Sequence, residues 1–315
     1  MQNEVHVFAP ASVANVACGF DTLGFAIQRP GDEVIARFSS KPGLHISRII
    51  GDSGKLSLEP SQNTAGVAAL SLLNRLGNFP GDYPGIELEI HKGIAIGSGL
   101  GSSACSAVAG AVAVNELLDR PFEKKELLPF ALDGEALASG GAIHADNVGP
   151  CLLGGIVLVR SNKDMDTVNI RVPDNLYAAV VLPELEVLTV VARNILRKEI
   201  PLSDAITQWG NLGGIIAGFT MSDYQLIGRS LNDVIAEPYR SALIPGFYDV
   251  KEAALEAGAL GCSISGAGPS VFALCEGDVT AFRVGIAMQN AFTRAGIPSE
   301  RFISTINTLG AERIR

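Results

Sequence analysis

The chain has 315 residues, 47% of them hydrophobic, and a formal net charge of −9 at pH 7. This length exceeds the usual size of one hydrophobic core, so two domains are expected. The negative charge and the absence of lysine- or arginine-rich runs argue against nucleic acid or an anionic membrane surface as a partner, and no segment is apolar for long enough to cross a membrane.

The N-terminal region is predicted to be a strand followed by an irregular segment. Alternating valines over Glu4–Phe8 indicate a strand that Pro10 is expected to end. The next segment, Pro10–Ile27, is rich in small and turn-forming residues. Such a composition fits either a buried turn or a place where a ligand approaches the backbone closely, and the segment contains Asn15 and Asp21.

Strands and helices then alternate up to a glycine-rich loop. Hydrophobic periodicity predicts strands over Val34–Ser39 and Leu44–Ile50, a helix over Asn63–Leu76 that Asn63 caps, and a strand over Ile86–Ile90 with one solvated face. A strand that leads through a loop into a helix is the order that a phosphate site requires.

The segment Gly93–Gly110 has the sequence GIAIGSGLGSSACSAVAG and leads into a predicted helix over Ser102–Val114. Its glycines allow tight turns that bring several amide N–H groups to one point, and the helix adds unpaired donors and the positive end of its dipole. The loop lacks the lysine of a Walker A motif and the third glycine of a dinucleotide fingerprint. It predicts a polyphosphate site, with close helix–strand packing as the alternative. Valine at Gly99 or Gly101 is expected to abolish binding at this site and to leave the fold largely intact.

A predicted helix over Glu123–Ala138 is followed by a glycine-rich loop over Ser139–Gly155. Glu135 lies near the end of the helix and faces either solvent or the site. The loop holds three polar residues, which indicate either a functional site or an Asx-type turn. They are His144, Asp146 and Asn147.

The second half of the chain also alternates strands and helices. A strand over Gly155–Arg160 and the polar run that follows it place the domain boundary near residue 165, which gives domains at 1–165 and 166–315. The remaining predicted elements are a strand over Leu176–Leu182, helices over Ser203–Gly218, Ser222–Ala236, Tyr248–Ala257 and Thr280–Ala295, two strand-like segments around SGAGPS at Ser265–Ser270, and a strand near Phe302–Asn307.

Five cysteines are scattered among small or apolar neighbours, without a Cys-x-x-Cys spacing. This pattern predicts reduced thiols in a cytoplasmic protein and gives no indication of a zinc site. The cysteines are Cys18, Cys105, Cys151, Cys262 and Cys275.

Three stretches resemble, in order and spacing, the signature motifs of the kinase superfamily named after galactokinase, homoserine kinase, mevalonate kinase and phosphomevalonate kinase. They are Pro10–Asp21, Ile96–Ser103 and Ser265–Ser270. Within this superfamily nearly the whole chain resembles the homoserine kinases. SVANVACGFD replaces the lysine- or arginine-bearing motif of the sugar and mevalonate kinases, and HADNVGP, TVVARNIL and AEPYRSALIPGF agree with the same family.

The resemblance implies an α/β (α+β) two-domain small-molecule kinase fold. Its N-terminal domain would be ribosomal-protein-like with a left-handed crossover, and its C-terminal domain ferredoxin-like. General connection rules would have predicted against a crossover of that hand. The family also suggests a homodimer.

The implied activity is transfer of the γ-phosphoryl group of ATP to the side-chain hydroxyl of L-homoserine, a step of threonine biosynthesis. Ser102 and Glu135 would hold Mg²⁺, an ion that prefers oxygen ligands. The resemblance assigns ATP binding to Ala95, Ile96, Gly97, Ser98, Gly99, Leu100, Gly101, Ser102, Ser103, Ala104 and Cys105.

Recognition of the zwitterionic substrate requires groups of both signs. Two arginines suit the carboxylate, Asp21 with His144 or Asp146 suits the ammonium group, and Asn147 is expected to hold the hydroxyl without acting as a base. A surface ion pair is the alternative role for either arginine. The implied substrate residues are Asn15, Asp21, His144, Asp146, Asn147, Thr189, Arg193, Arg240, Gly266 and Gly268.

Two departures from the family pattern stand out. Ala95 replaces a usual proline, and the loop between Glu135 and His144 is one residue longer than the resemblance implies, which weakens the assignment of Glu135 to the metal. The alternatives are a kinase of the same superfamily that acts on another small alcohol and a non-catalytic amino-acid sensor. A hydrolase using Ser102 or Ser103 is disfavoured because no Gly-x-Ser-x-Gly elbow is present.

Overall fold

The computed structural model describes residues 3–77, 84–140 and 144–315. The first half of the chain builds a mixed sheet with helices packed on it. Its strands are β1 (Glu4–Ala14), β2 (Leu23–Ser39), β3 (Leu44–Ile50), β4 (Gly85–His91), β5 (Ile156–Ser161) and β6 (Asp166–Ile170). Its helices are α1 (Thr64–Leu76), α2 (Ser102–Leu117), α3 (Leu128–Ala138) and α4 (Ala145–Leu153).

The long strand β2 organises this sheet because its two ends pair with different strands. Residues 33–39 pair with β4, and residues 23–25 pair with β5. The order is β11-β1-β2-β4-β3, with β5 on β2 and β6 on β5, where β11 is Glu312–Arg313. Only β3 and β4 are parallel, and α1 lies between them in the chain.

The second half of the chain contains a four-stranded antiparallel sheet of order β10-β7-β9-β8. Its strands are β7 (Leu176–Pro183), β8 (Gly261–Ile264), β9 (Val271–Glu276) and β10 (Ser299–Thr305). Its helices are α5 (Thr189–Asn194), α6 (Leu202–Met221), α7 (Tyr224–Ser230), α8 (Glu237–Arg240), α9 (Phe247–Glu256) and α10 (Asp278–Arg294).

Both faces of the second sheet are buried, which explains the apolar runs of its central strands. Because side chains alternate along a strand, Val271 and Ala273 of β9 join a core with residues of α9 and α10, whereas Phe272 and Leu274 join the core of the first half. The rings of Phe272 and Phe25 meet edge to face at 5.7 Å between centroids. No described helix is long and apolar enough to span a membrane.

Most predicted elements are present, but the predicted end of the first strand is wrong. Strand β1 continues through Pro10 to Ala14, and its register on β2 shifts between Pro10 and Ser12. A bulge is a position where a strand tolerates the missing N–H of proline.

The predicted loop over Ser139–Gly155 is also wrong, because it contains α4. Pro150 lies inside this helix and has no N–H to donate to the carbonyl of Asp146. That carbonyl oxygen instead packs against Gly24 of β2, where an added Cβ would lie only 1.9 Å from it. Proline and glycine normally indicate a loop, but here Pro150 and Gly24 allow α4 to pack closely on β2.

The helix predicted over Ser222–Ala236 is shorter than expected and ends at Ser230. Asp233 stops it from continuing, because its carboxylate accepts hydrogen bonds from the backbone N–H groups of Ile235, Ala236 and Glu237 and forms a turn before α8.

Candidate active site

A cavity of about 360 Å³ lies where the glycine-rich loop, α4 and the β8–β9 turn converge. The segment 186–190 before and at the start of α5 completes its wall. The predicted site residues that line it are Asn15, Asp21, Ile96, Gly97, Ser98, Gly99, Gly101, Ser102, Ser103, Glu135, His144, Asp146, Asn147, Thr189, Arg193, Arg240, Gly266 and Gly268.

The three sequence motifs touch one another at this cavity. Ser265 Oγ donates to the Gly99 carbonyl at 2.7 Å, and the backbone N–H of Ser270 donates to the Ser98 carbonyl at 3.1 Å. Asn15 Nδ2 donates to the Gly266 carbonyl at 2.8 Å. The glycine-rich loop is therefore held by the turn of the second half as well as by its own strand and helix.

The glycine-rich loop uses left-handed backbone conformations. Gly97, Gly99 and Gly101 have φ values of +71°, +79° and +68°, and Gly101 stands at the N-cap of α2. No capping side chain occupies that helix end, so the first amide groups of α2 are available to an anion.

The expectation that valine at Gly99 or Gly101 leaves the fold intact is wrong. A Cβ at Gly99 would lie 2.6 Å from the Gly268 carbonyl oxygen, and one at Gly101 would lie 2.4 Å from Ser12 Oγ. Protein atoms, rather than free space, adjoin both positions. Gly97 differs, because its nearest neighbour is the flexible side chain of Glu186 at 3.1 Å.

A buried ion pair beneath the loop was missed from the sequence. The side chain of Lys92 is 2% exposed and that of Asp32 is fully buried, and the two are in direct contact. Lys92 Nζ also donates to the Ser102 carbonyl at 2.9 Å and to Ser106 Oγ at 2.8 Å, in the first turns of α2.

Asp32 extends this support to the other end of the loop. Its Oδ1 accepts hydrogen bonds from the backbone N–H groups of Gly93 and Ile94, at 3.0 and 3.2 Å. The signal in the sequence was a lysine directly after a buried strand and before the glycines, but its partner lies 60 positions earlier.

The two predicted metal ligands come from α2 and α3. Ser102 Oγ donates to the Ile94 carbonyl at 3.0 Å, which leaves its lone pairs available. Glu135 is 4% exposed; its Oε1 lies 3.3 Å from His144 Nδ1, and its Oε2 is buried with no partner among the described residues. A buried carboxylate oxygen without a partner is costly, so this atom fits a cation ligand.

The predicted substrate residues form a chain of polar contacts that leads away from Glu135. Arg193 binds Asp21 in a bidentate pair at 2.6 and 3.1 Å, and it also donates a hydrogen bond to His144 Nε2 at 3.1 Å. Because a guanidinium can only donate, Nε2 accepts and Nδ1 carries the hydrogen that faces Glu135. The pKa of His144 is raised overall. Burial alone would lower this pKa, but the hydrogen bond to Glu135 and the negative charges of Asp146 and Glu135 outweigh the effect of burial.

The second arginine is fixed by backbone carbonyls. Arg240 is 4% exposed, and it donates to the carbonyls of Gly266 at 2.8 Å and Ala192 at 3.2 Å. Both arginines line the cavity. Arg240 forms no ion pair within the described residues, whereas Arg193 is 37% exposed and pairs with Asp21, so the alternative of a surface ion pair remains for Arg193.

Asn15 connects the acidic residues of the cavity. Its backbone N–H donates to Asp146 Oδ2 at 3.2 Å, and its Oδ1 accepts from the N–H of Asp21 at 2.9 Å. Burial, followed by the charge of Asp21, raises the pKa of Asp146 to about 6. The segment around Asn15 is therefore a turn that carries Asp21 and also binds Asp146 of α4, and both acids line the cavity.

Asn147 is held on one side only. Its Oδ1 accepts a hydrogen bond from Ser12 Oγ at 3.0 Å, and no other side-chain hydrogen bond of Asn147 is found within the described residues. The Nδ2 group remains free to donate.

Four residues assigned to ATP do not line the cavity. Leu100, Ala104 and Cys105 are fully buried in the core of the first half, where Cys105 Sγ donates to the Ala9 carbonyl at 2.9 Å, and Ala95 lies outside the cavity wall. The three buried residues face the core, whereas Ala95 is exposed. The extra residue predicted between Glu135 and His144 falls in a segment of which positions 141–143 lie outside the described residues.

Two family models match the chain. The GHMP kinases N-terminal domain matches residues 63–155, and the GHMP kinases C-terminal domain matches residues 215–293. Full-length relatives agree. A homoserine kinase of Chlorobium phaeobacteroides is 51% identical over 98% of each chain, and one of Xylella fastidiosa is 43% identical over 98% of this chain and 94% of its own.

Solved structures extend the agreement to three dimensions. A crystal structure of homoserine kinase from Cytophaga hutchinsonii is 54% identical, has a TM-score of 0.96, and covers 100% of this chain and 98% of its own. A mevalonate kinase of L. major, solved with R-mevalonate, has a TM-score of 0.70 at 17% identity over 97% of each chain and shows the shared fold alone. These matches confirm the predicted fold class and the family resemblance.

Proposed function

The chain belongs to the GHMP kinases, and we propose that its cavity is the active site of a homoserine kinase, which transfers the γ-phosphoryl group of ATP to the side-chain hydroxyl of L-homoserine. The observation that carries this function is identity of about half of all residues with curated homoserine kinases over nearly the full length. The reaction is a step of threonine biosynthesis.

The glycine-rich loop is the part of the cavity suited to ATP. Glycine backbone at Gly97–Gly101 and the N-terminal turn of α2 together offer amide donors at one point. Because phosphoryl transfer has a loose transition state, positioning and neutralisation of charge supply most of the catalysis. The Lys92–Asp32 pair beneath the loop fixes the position of those donors.

Ser102 and Glu135 are the residues that would hold Mg²⁺. The partnerless Glu135 Oε2 and the Ser102 hydroxyl are hard oxygen ligands, and Mg²⁺ characteristically takes one or two carboxylates with substrate phosphates and water. When bound, this ion would neutralise phosphate charge. No described group of three or more His, Cys, Asp or Glu residues could hold a metal by itself, in keeping with a site completed by the nucleotide.

The charged residues of the cavity suit the two charged ends of homoserine. Arg193 and Arg240 would bind the carboxylate, and Asp21 with Asp146 would face the ammonium group. Arg193 and Asp21 pair with each other, so a bound zwitterion would exchange one ion pair for two. His144 is occupied by Arg193 and Glu135, which argues for Asp146 as the second acid.

Asn147 would position the reacting hydroxyl. Its carbonyl oxygen is already bonded to Ser12, which leaves an amide donor and no basic atom. The proton of the hydroxyl would then pass late in the reaction to a phosphate oxygen.

Several further properties belong to the same proposal. The domain boundary is placed near residue 165, in the turn between β5 and β6, although β6 beyond it still pairs with the first sheet. The burial of all five free thiols supports a location in the cytoplasm. An exposed apolar face of α6 supports a homodimer. That face carries Leu202, Ile206 and Trp209, which are 57–68% exposed. Sedimentation equilibrium tests the dimer, and a monomer at micromolar concentration would contradict it.

A coupled assay of ATP consumption tests the activity. L-homoserine should give the highest kcat/KM in a panel with L-serine, L-threonine, mevalonate and shikimate. Preference for another alcohol would assign the chain to a different substrate within the family, and binding of ATP without turnover of any acceptor would contradict an enzyme.

A further inference from the structure

One aromatic ring outside the cavity wall contacts both substrate arginines. Arg240 Cζ lies 5.0 Å from the centroid of the Phe20 ring, and Arg193 Cζ lies 5.4 Å from it. Phe20 is half-buried and is not among the residues that line the cavity. It therefore acts on a bound ligand only through the arginines.

The two arginines need such a neighbour because they carry like charges at close range. Burial lowers the pKa of Arg240, and the charge of Arg193 lowers it further. Arg240 is held by two backbone carbonyls, whereas the side chain of Arg193 is 37% exposed and is bonded to Asp21 and His144. Of the two, Arg193 is the arginine that repulsion and the pull of Asp21 can displace.

An aromatic ring attracts a guanidinium through the negative potential of its face, with a strength of about threefold in an equilibrium constant for each contact. At Phe20 the two contacts offset part of the repulsion between the arginines. Asp21 directly follows Phe20 in the same turn. The backbone N–H of Asp21 donates to Asn15 Oδ1 at 2.9 Å, and this hydrogen bond fixes the turn.

We infer that Phe20 is a positioning residue that holds Arg193 and Arg240 together as one carboxylate-binding unit. This inference rests on the proposed function, since it concerns the carboxylate of homoserine. It assigns Phe20 to selection of a substrate with a carboxylate, and not to the transfer step.

The test compares two ligands that differ by the carboxylate. Wild type, Phe20→Leu and Phe20→Tyr are assayed with L-homoserine, and 3-aminopropan-1-ol, which keeps the hydroxyl and ammonium groups but lacks the carboxylate, is measured as a competitor. In Phe20→Leu the KM for homoserine should rise about tenfold, which corresponds to two contacts of this strength, with kcat nearly unchanged. The inhibition constant of 3-aminopropan-1-ol and the KM for ATP should stay within twofold, and Phe20→Tyr should resemble wild type.

The outcomes separate the possible failures. If Phe20→Leu weakened the binding of both ligands equally, Phe20 would have only a structural role. An unchanged KM for homoserine would show that the backbone carbonyls and Asp21 position the arginines without Phe20. Should Phe20→Leu fail to fold by circular dichroism, Phe20→Met fills similar space without a ring and makes the same comparison. A wild-type chain that does not phosphorylate homoserine would overturn the proposed function and this inference together, whereas active wild type with unaltered variants overturns this inference alone.

Discussion

Asp146 is a carboxyl group that folding removes from water, so its titration should be visible in the stability of the protein. Burial and the charge of Asp21 raise its pKa from 3.8 to about 6. Because folding raises the pKa of this carboxyl group, the protonated form of Asp146 stabilises the folded state relative to the ionised form. This contribution to the free energy of unfolding is fully present below about pH 4 and is lost as the pH rises through 6.

Asp146→Asn should therefore leave stability at about pH 4 little changed and raise it by about 3 kcal/mol at about pH 8, relative to wild type. The asparagine Oδ1 can still accept the hydrogen bond from the Asn15 N–H. Urea unfolding at both pH values measures the difference, and an equal effect of the substitution at the two pH values would contradict the assignment.

Substitutions at Asn147 and Asp21 can distinguish a mechanism without a general base from one in which Asp21 is the base. Asn147→Ala should lower kcat about 100-fold because the hydroxyl is no longer positioned, whereas Asp21→Asn should mainly raise the KM for homoserine, about tenfold or more. Steady-state kinetics with homoserine decide between them. If Asp21→Asn lost several orders of magnitude in kcat at constant KM, Asp21 would be the base.

Glu135 tests the metal assignment. Glu135→Gln keeps the shape of the side chain but removes the charge available to Mg²⁺, so kcat should fall about 100-fold or more while homoserine affinity changes little. The Mg²⁺ concentration that gives half-maximal activity should rise. Glu186→Gln is a matched control, since this acid also lines the cavity without such an assignment. Near-normal turnover of Glu135→Gln would show that another residue holds the metal.

At the scale of elements, the Lys92–Asp32 pair joins β2, the end of β4 and the start of α2. Lys92→Met would leave the charge of Asp32 buried without its cation, and the free energy of unfolding should fall by about 3–5 kcal/mol. Adding Asp32→Asn removes the unpaired charge and should restore part of the loss. Chemical denaturation compares wild type with the single and the double variant, and a single variant as stable as wild type would contradict a structural role for the pair.

Local sequence patterns predicted most helices and strands, but not those that are stabilised by packing against residues far away in the chain. Asn63 caps α1 as its sequence indicated, since its side chain accepts from the Ala65 N–H. Helix α4 was missed because Gly149 and Pro150 locally favour a loop, and only packing against β2 favours the helix.

The site was predictable to the extent that it consists of motifs. The site residues were predicted mainly from such motifs, and most of those predicted residues line one cavity. The Lys92–Asp32 pair and the contacts of Phe20 with two arginines were missed, because they join residues far apart in the chain that carry no pattern of their own.

At the scale of the whole molecule, Gly99 is the point where the phosphate loop rests on the second half of the chain. Gly99→Ala forces a Cβ to within 2.6 Å of the Gly268 carbonyl oxygen, in addition to a positive φ. Stability should fall by about 2–3 kcal/mol, and ATP affinity should fall with it.

Gly97→Ala is the matched control for Gly99→Ala. It has a similar φ but meets only the Glu186 side chain, so it should lose about 1 kcal/mol. Thermal unfolding and ATP titration of the two variants isolate the contact between the halves. Equal losses would mean that backbone conformation alone accounts for the effect.

Strand β11 pairs with β1, and this pairing bears on synthesis of the chain. Phe8 pairs with Glu312, and the Ile314 N–H donates to the His6 carbonyl at 2.9 Å. During synthesis β1 is made long before β11, so its outer edge stays open until β11 follows, although N-terminal domains usually fold first. An open edge is a template for pairing with other chains. Nascent or prematurely terminated copies should therefore be the aggregation-prone and chaperone-dependent forms of this protein.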